Sequence, residues 1–163
     1  TVLRDRRKRL PLKESQKVLV LEQVIREDLI PGDMHYHIHS FNEAMLEHSL
    51  NVVNADCHFR ALPEERKEIL SLLKDVDAVV MTNWFWRVWP ENNAPLVEAI
   101  ARKGKPLIVV TNNPYPMGAT PKAGTVVCTY SVTPESLRAA AAVLYGKARA
   151  RGKWPLEHLR QPR

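Results

Sequence analysis

Cysteine is scarce in this chain of 163 residues, which contains only Cys57 and Cys128. Two isolated cysteines are too few for a disulfide framework or a cysteine-based zinc site. Cys128 lies in an apolar stretch, where a free thiol behaves as a small hydrophobic group. The cysteine content therefore excludes a fold that is stabilised by several disulfide bonds, and it gives no support to a redox function.

Long apolar runs are also missing. No stretch approaches the roughly 20 residues of a membrane-spanning helix. The basic start of the chain is not followed by the apolar segment of a signal peptide. Hydrophobic residues make up 45% of the sequence and charged residues 26%, as in globular proteins. We expect a single domain over residues 1–163, with no membrane span.

Positive charge is abundant but unevenly distributed. Residues 1–17 hold seven Lys or Arg against two acids, residues 147–163 hold six against one, and the body between them is acidic. A nucleic-acid interface needs basic residues gathered on one face of the fold. We therefore expect no nucleic-acid partner, and expect a solvated basic segment over 1–16 and a basic tail over 147–163.

Short apolar runs recur along the body and are rich in β-branched residues. Most are continuously apolar, which is typical of strands covered on both faces. The runs begin at Val18, Leu50, Ala78, Leu107 and Val126. Helical patterns alternate with them over 41–48, 63–74, 91–103 and 133–145. The alternation predicts an α/β fold: a three-layer, doubly wound, mostly parallel sheet of about five strands, flavodoxin-like in order.

Two helices carry explicit boundary signals. Ser40 and Glu43 have the spacing of a capping box, which predicts the start of the first helix. Thr133 is the predicted N-cap of the last helix, with Pro134 in its first turn. Gly146 is the residue at which that helix should end.

In open parallel sheets, ligands bind at the carboxyl ends of the strands. Amide, aromatic and carboxylate residues follow the predicted strands, and we predict that a substrate or an interface contacts this edge. They are Glu22, Asp56, Asn83, Trp84, Asn112, Asn113, Tyr115, Tyr130 and Ser131. Glycine-rich phosphate loops are absent, so we predict no cofactor. A simple turn of the chain explains Asn112 and Asn113 equally well.

An aromatic cluster follows the third apolar stretch of the predicted sheet: Trp84, Phe85, Trp86 and Trp89, with Arg87 among them. Flat rings could stack on a sugar, and Arg87 could pair with a carboxylate or phosphate. Packing against the following helix or a neighbouring domain is the interpretation we favour, because large aromatic residues are enriched in interfaces.

Histidines alternate at positions 35, 37 and 39, and three imidazoles can hold a catalytic zinc ion. However, a helix is predicted to begin at once, and no carboxylate is spaced to orient these ligands. We therefore predict a polar loop and no metal site. Glu22 and Asp56 have no supporting glycosidase motif, and Ser131 has no evident histidine partner. The residues alone predict no catalytic group.

Several segments, in order and spacing, resemble the C-terminal α/β domain of family 3 glycoside hydrolases, in the β-N-acetylhexosaminidase branch. The N-terminal half contributes Thr-Val-Leu-Arg-Asp-Arg at 1–6, Leu-Pro-Leu at 10–12 and Asp-Ala-Val-Val at 77–80. The C-terminal half contributes residues 104–110, Asn-Pro-Tyr at 113–115, Tyr-Ser at 130–131, the alanine-rich helix to Gly146, and Gly-Lys-Trp-Pro-Leu at 152–156. Trp154 replaces the leucine usual in the family.

The resemblance implies that catalysis belongs to a preceding TIM-barrel domain, with an aspartate nucleophile and a His–Asp acid/base pair. Neither motif is present here, so no catalytic residue is carried over. It implies an accessory domain of a retaining β-N-acetylglucosaminidase, which packs on that barrel, rims its amino-sugar cleft and is inactive alone. The implied substrates derive from peptidoglycan or chitin, and the implied compartment is the bacterial cytoplasm or the cell envelope.

Two other functions remain open at the level of sequence. The first is a free-standing flavodoxin-like module that binds a small ligand or a partner protein. The second is a stand-alone enzyme, which would require a cluster of carboxylates or histidines with perturbed pKa values.

Overall fold

The structure is a computed structural model, and it describes residues 1–24, 37–85, 93–115 and 122–153. Six strands and four helices occur in these ranges. The strands are β1 (Val2–Asp5), β2 (Val18–Val24), β3 (Val52–His58), β4 (Ala78–Thr82), β5 (Leu107–Thr111) and β6 (Thr125–Cys128). The helices are α1 (Ser40–Leu46), α2 (Pro63–Leu72), α3 (Ala94–Arg102) and α4 (Pro134–Leu144), and a 3-10 turn at Leu73–Asp75 follows α2.

The strands form one sheet in the order β1-β6-β5-β4-β2-β3. Neighbours from β3 to β6 are parallel, whereas β1 runs antiparallel to β6. When the five parallel strands are numbered alone, their order is 2-1-3-4-5, which is the flavodoxin-like order. The predicted fold class is therefore confirmed, with one additional antiparallel strand at the edge.

Successive side chains of the central strands point to opposite faces of the sheet, so two hydrophobic cores form, one on each face. Val18 and Val20 of β2 pack in the core under α1 and α4. Leu19 and Leu21 of the same strand pack in the opposite core, under α2 and α3. All four side chains are completely buried, which explains why the run is continuously apolar instead of alternating. The three layers follow from this burial on both faces.

The N-terminal basic segment departs in part from the prediction that it is solvated: residues 6–9 are exposed, but the residues on either side are not. β1 pairs with β6, and the side chains of Leu3 and Arg4 are buried. The Arg4 Nη1 donates a hydrogen bond to the Ala123 carbonyl at 3.0 Å. Leu12 is also buried, and its backbone N–H donates to the Leu144 carbonyl at 2.7 Å. Pairing with a strand some 120 residues away supplies the structure that the local sequence does not indicate.

The boundaries of the last helix are confirmed. The Thr133 Oγ1 accepts a hydrogen bond from the Ser136 N–H at 3.4 Å, and α4 begins at Pro134. Gly146 adopts a left-handed conformation, with φ at 69°, directly after the C-cap Tyr145. The predicted start of the third helix near Glu91 lies outside the described residues. Among the residues that the structure describes, no helix is long and apolar enough to cross a membrane.

Two glycines with positive φ give a direct test of how the ends of α3 and α4 are built. Gly104 has φ at 75° and open space where a Cβ would lie, whereas a Cβ on Gly146 would lie 2.9 Å from the Pro11 Cβ. Gly104→Ala should lower the free energy of unfolding by about 1–2 kcal/mol through backbone strain alone. Gly146→Ala should cost about 1–3 kcal/mol more, because it also overpacks. Urea denaturation measures the free energy of unfolding of both variants. An equal loss of unfolding free energy in the two would contradict this explanation.

Candidate functional site

Because β2 to β6 are parallel, their carboxyl ends meet at one edge of the sheet, here called the carboxyl edge. The register places Glu22 of β2 directly beside Asp56 of β3. The ends of β4, β5 and β6 add the predicted positions Asn83, Trp84, Asn112, Asn113, Tyr115, Tyr130 and Ser131. Trp86 and Arg87, two further predicted positions, lie outside the described residues. The edge therefore collects the polar residues that the sequence analysis identified.

Glu22 is completely buried and stabilises the N-terminus of α1. One carboxylate oxygen accepts a hydrogen bond from the Phe41 N–H at 3.4 Å, and the other accepts one from the Asn42 N–H at 2.9 Å. Burial raises the pKa of Glu22 to about 7, although the two amide hydrogen bonds act in the opposite direction. The carboxyl group is thus held between its neutral and ionised forms near neutral pH.

This contact replaces the predicted capping box. Ser40 is already the first residue of α1, and the N-cap is His39, which has φ at 67° and makes no side-chain cap. The helix therefore begins where Ser40 and Glu43 predicted it, but the predicted capping box does not form. The physical reason is that a carboxylate from β2 reaches the first free amides of the helix, which a local side chain would otherwise bind.

His39 and Asp56 are hydrogen-bonded to each other beside Glu22. The His39 Nε2 lies 2.8 Å from the Asp56 Oδ2, and each side chain is half-exposed. The hydrogen bond to Asp56 raises the pKa of His39. His35 lies outside the described residues. Within the described ranges, no three His, Cys, Asp or Glu side chains are grouped to hold a metal ion.

Gln23 joins three segments beneath the carboxyl edge. Its side-chain Oε1 accepts a hydrogen bond from the Trp84 N–H, and its Nε2 donates to the Phe59 carbonyl at 2.9 Å. Its backbone N–H donates to the Thr82 Oγ1 at 2.7 Å. Both Gln23 and Trp84 are completely buried. Trp84 therefore packs in the hydrophobic core under α1 and α4, where its ring is not presented to a ligand.

Asn83 and Asn93 form a second buried connection. The Asn83 backbone N–H donates to the Val110 carbonyl at 2.8 Å, and the Asn83 Oδ1 accepts from the Asn93 N–H at 3.1 Å. Asn93 in turn accepts from the Ala61 N–H and donates to the His58 carbonyl, both at 2.7 Å. Sequence reasoning missed Gln23 and Asn93, because their partners are distant in sequence.

Asn112 and Asn113 shape the turn after β5. The Asn112 side chain pairs with the backbone of Phe85, accepting from its N–H at 2.9 Å and donating to its carbonyl at 3.0 Å. The Asn113 Oδ1 accepts from the Tyr115 N–H at 2.8 Å, as in an Asx turn. The turn interpretation therefore accounts for the Asn113 side-chain oxygen, whereas the Asn112 amide joins the chain after β4 to the end of β5.

Two tyrosines remain well exposed at this edge. Tyr115 and Tyr130 each expose 41% of their surface, and Tyr130 has a left-handed backbone with φ at 60°. Ser131, by contrast, accepts a hydrogen bond from the Thr133 N–H at 3.2 Å and helps to form the turn before α4. The described groups that the carboxyl edge offers to a ligand are His39, Asp56, Tyr115 and Tyr130.

The architecture defines the class of protein as a three-layer α/β domain with flavodoxin-like strand order and one antiparallel edge strand. The family model described as the Glycosyl hydrolase family 3 C-terminal domain matches residues 1–162. The chain belongs to this family, which confirms the resemblance found in the sequence. No match was found among curated proteins.

Two solved structures of family 3 enzymes contain a part with the same fold as this chain. A glycoside hydrolase family 3 β-N-acetylglucosaminidase from Paenibacillus sp. str. FPU-7 is 26% identical with a TM-score of 0.78, and the match covers 94% of this chain and 29% of that one. A fungal multi-domain family 3 β-N-acetylglucosaminidase with a GCN5-related glucosamine N-acetyltransferase region shares the fold, at 22% identity and a TM-score of 0.69. That match covers 94% of this chain and 17% of the fungal one. The chain thus spans less than a third of either protein.

The buried carboxyl group of Glu22 should make stability depend on pH. Its pKa in the folded chain, about 7, lies above the ordinary value of 4.5, so the unfolded chain releases this proton first as the pH rises. The contribution of Glu22 to stability is therefore fully present below about pH 4.5 and is lost as the pH rises to about 7. The difference between these two pKa values corresponds to about 3 kcal/mol in the free energy of unfolding.

Glu22→Gln keeps the shape of the side chain but cannot ionise. Urea denaturation from about pH 4.5 to 8 should show that wild-type stability falls relative to Glu22→Gln by about 2–3 kcal/mol. His39, Asp56 and Glu43 are present in both proteins, so their contributions largely cancel in the difference. Glu64→Gln removes an exposed carboxylate from the first turn of α2 and is the matched control. Parallel stability curves for wild type and Glu22→Gln would contradict the assignment.

Proposed function

We propose that this chain is the C-terminal accessory domain of a retaining β-N-acetylglucosaminidase that acts on bacterial peptidoglycan or chitin-derived sugars. The observation that supports the proposal is the likeness of 94% of the chain to a part that makes up 29% of a family 3 β-N-acetylglucosaminidase. Membership of the C-terminal domain family points the same way. In this proposal a TIM-barrel domain of the same protein carries the catalytic residues.

The carboxyl edge is the surface that we assign to the sugar cleft of the barrel. The exposed rings of Tyr115 and Tyr130 can stack on the apolar face of a sugar, and the Tyr115 hydroxyl group can hydrogen-bond to it. The half-exposed His39 and Asp56 pair can bind sugar hydroxyls. Trp86 and Arg87 stay in the proposal as further contacts from the segment outside the described residues.

The carboxylates that the structure describes at this edge do not form a glycosidase pair. Most retaining enzymes use two carboxyl groups that flank the bond to be cleaved, one of them as nucleophile. In the branch that this chain resembles, a His–Asp pair takes the place of the second carboxyl group. Glu22 is completely buried and bonded to the amides of α1, so it is not placed to reach a sugar carbon. Asp56 is bound to His39. We therefore propose that the chain supports and rims the cleft but does not hydrolyse the substrate by itself.

The first test is hydrolysis of a chromogenic N-acetyl-β-glucosaminide by the purified chain. We expect no turnover above that of buffer, because the nucleophile and the acid/base pair belong to the barrel. His39→Ala and Asp56→Ala identify the residues responsible if turnover appears. Activity of the pure chain that either substitution abolishes would overturn the proposal and make this domain an enzyme.

The second test concerns the tyrosines in the parent enzyme, barrel included. Tyr115→Ala and Tyr130→Ala should each raise KM for a chitin-derived oligosaccharide by roughly two- to tenfold with little change in kcat, because a stacking contact contributes to binding alone. Leu50→Ala is the control, since Leu50 is 89% exposed and lies before β3, at the other end of the strand. An unchanged KM in both tyrosine variants would remove this edge from the cleft.

A further inference from the structure

A concave surface lies at the end of the sheet opposite the carboxyl edge, where the parallel strands begin. It is a cleft of about 270 Å³ between the segment after β1 and the end of α3. Its floor includes Leu107 and Thr125, the first residues of β5 and β6. Among the residues that the structure describes, no acidic side chain lines it and five cationic ones do: Arg6, Arg7, Arg9, Lys105 and Lys122. The proposed sugar-binding function does not use this cleft.

The nearest carboxylate on the same segment is engaged in building the cleft wall. One oxygen of Asp5 accepts hydrogen bonds from the Arg9 N–H at 2.8 Å and the Thr125 Oγ1 at 2.9 Å. The other accepts from the Leu10 N–H at 3.2 Å. These bonds fix the backbone of the basic segment against β6. Asp5 therefore holds in place the backbone from which the arginine side chains of this wall extend.

The opposite wall is also ordered. The Lys105 Nζ donates to the Val76 carbonyl at 2.7 Å, and an ammonium group retains two further donors after one such bond. The Arg6 backbone N–H donates to the Gly124 carbonyl at 3.1 Å, which joins the two walls. A Cβ on Gly124 would meet no atom within 4 Å, so the backbone at this point opens onto free space.

We propose that this cleft binds the phosphate group of a small phosphorylated molecule. Several cations around one concavity favour an anion with more than one charge over a single carboxylate, and guanidinium groups match phosphate oxygens in geometry. Clefts lined by charge of one sign concentrate the opposite ion. The volume is just below the usual range of about 300–1,000 Å³ for ligand sites, which fits a small ligand.

Titration calorimetry of the whole chain in about 0.15 M salt tests the proposal, with inorganic pyrophosphate and glucose 6-phosphate as separate probes. We expect one site with a Kd below about 1 mM for at least one probe. Arg7→Gln combined with Lys122→Gln removes one cation from the segment after β1 and one from the segment before β6. This double variant should weaken binding about tenfold or more. Gly124→Glu places a carboxylate in the cleft at ordinary backbone angles and should abolish binding.

Arg66→Gln combined with Lys67→Gln is the matched control, because it removes one arginine and one lysine from α2, outside the cleft. Binding should change less than about twofold in this variant, since distant exposed charges are screened. Preference for pyrophosphate would identify free phosphates as the ligand source, and preference for the sugar phosphate would identify phosphorylated metabolites. No saturable binding of either probe, or an equal loss in the control, overturns the proposal. Binding of an oligonucleotide but of neither probe also overturns it.

Discussion

Burial of polar groups at the carboxyl edge is the constraint on which the rest of the structure depends. Parallel strands covered on both faces end in backbone and side-chain groups that water does not reach, and each such group must find a partner. Gln23 meets this requirement for the backbone at Phe59 and Trp84, and Asn93 meets it for the backbone at Ala61 and His58. The edge is thus held together by its own side-chain amides.

The same constraint divides the edge into two kinds of residue. Side chains that complete the hydrogen bonding of the chain, such as Glu22 and Asn112, are not free to bind a ligand. His39, Asp56 and the two exposed tyrosines lie outside this network and face solvent. This division is consistent with an accessory role, in which the domain supplies contacts at the rim of a cleft formed with another domain. The basic cleft lies at the other end of the strands, so the two surfaces are structurally independent.

The sequence predicted the parts of the fold that local signals determine. Continuous apolar runs such as 18–21 identified the central strands, and Thr133, Pro134 and Gly146 marked the ends of α4 because each acts within a few residues of itself. β1 could not be predicted, because its charged sequence becomes a strand only by pairing with β6. The role of Glu22 was equally hidden, since its partners at the start of α1 are 19 and 20 residues away. Both features depend on partners that are distant in sequence, and such pairing produces no periodic pattern of residues from which it could be predicted.

The proposed function makes the chain one domain of a larger glycoside hydrolase. The most direct test is to sequence the gene immediately upstream of the codon for Thr1. The account predicts an open reading frame that continues into a TIM-barrel segment with an aspartate nucleophile and a His–Asp loop. A start codon directly before this domain, with no barrel encoded in frame, would contradict the account and favour a free-standing α/β module.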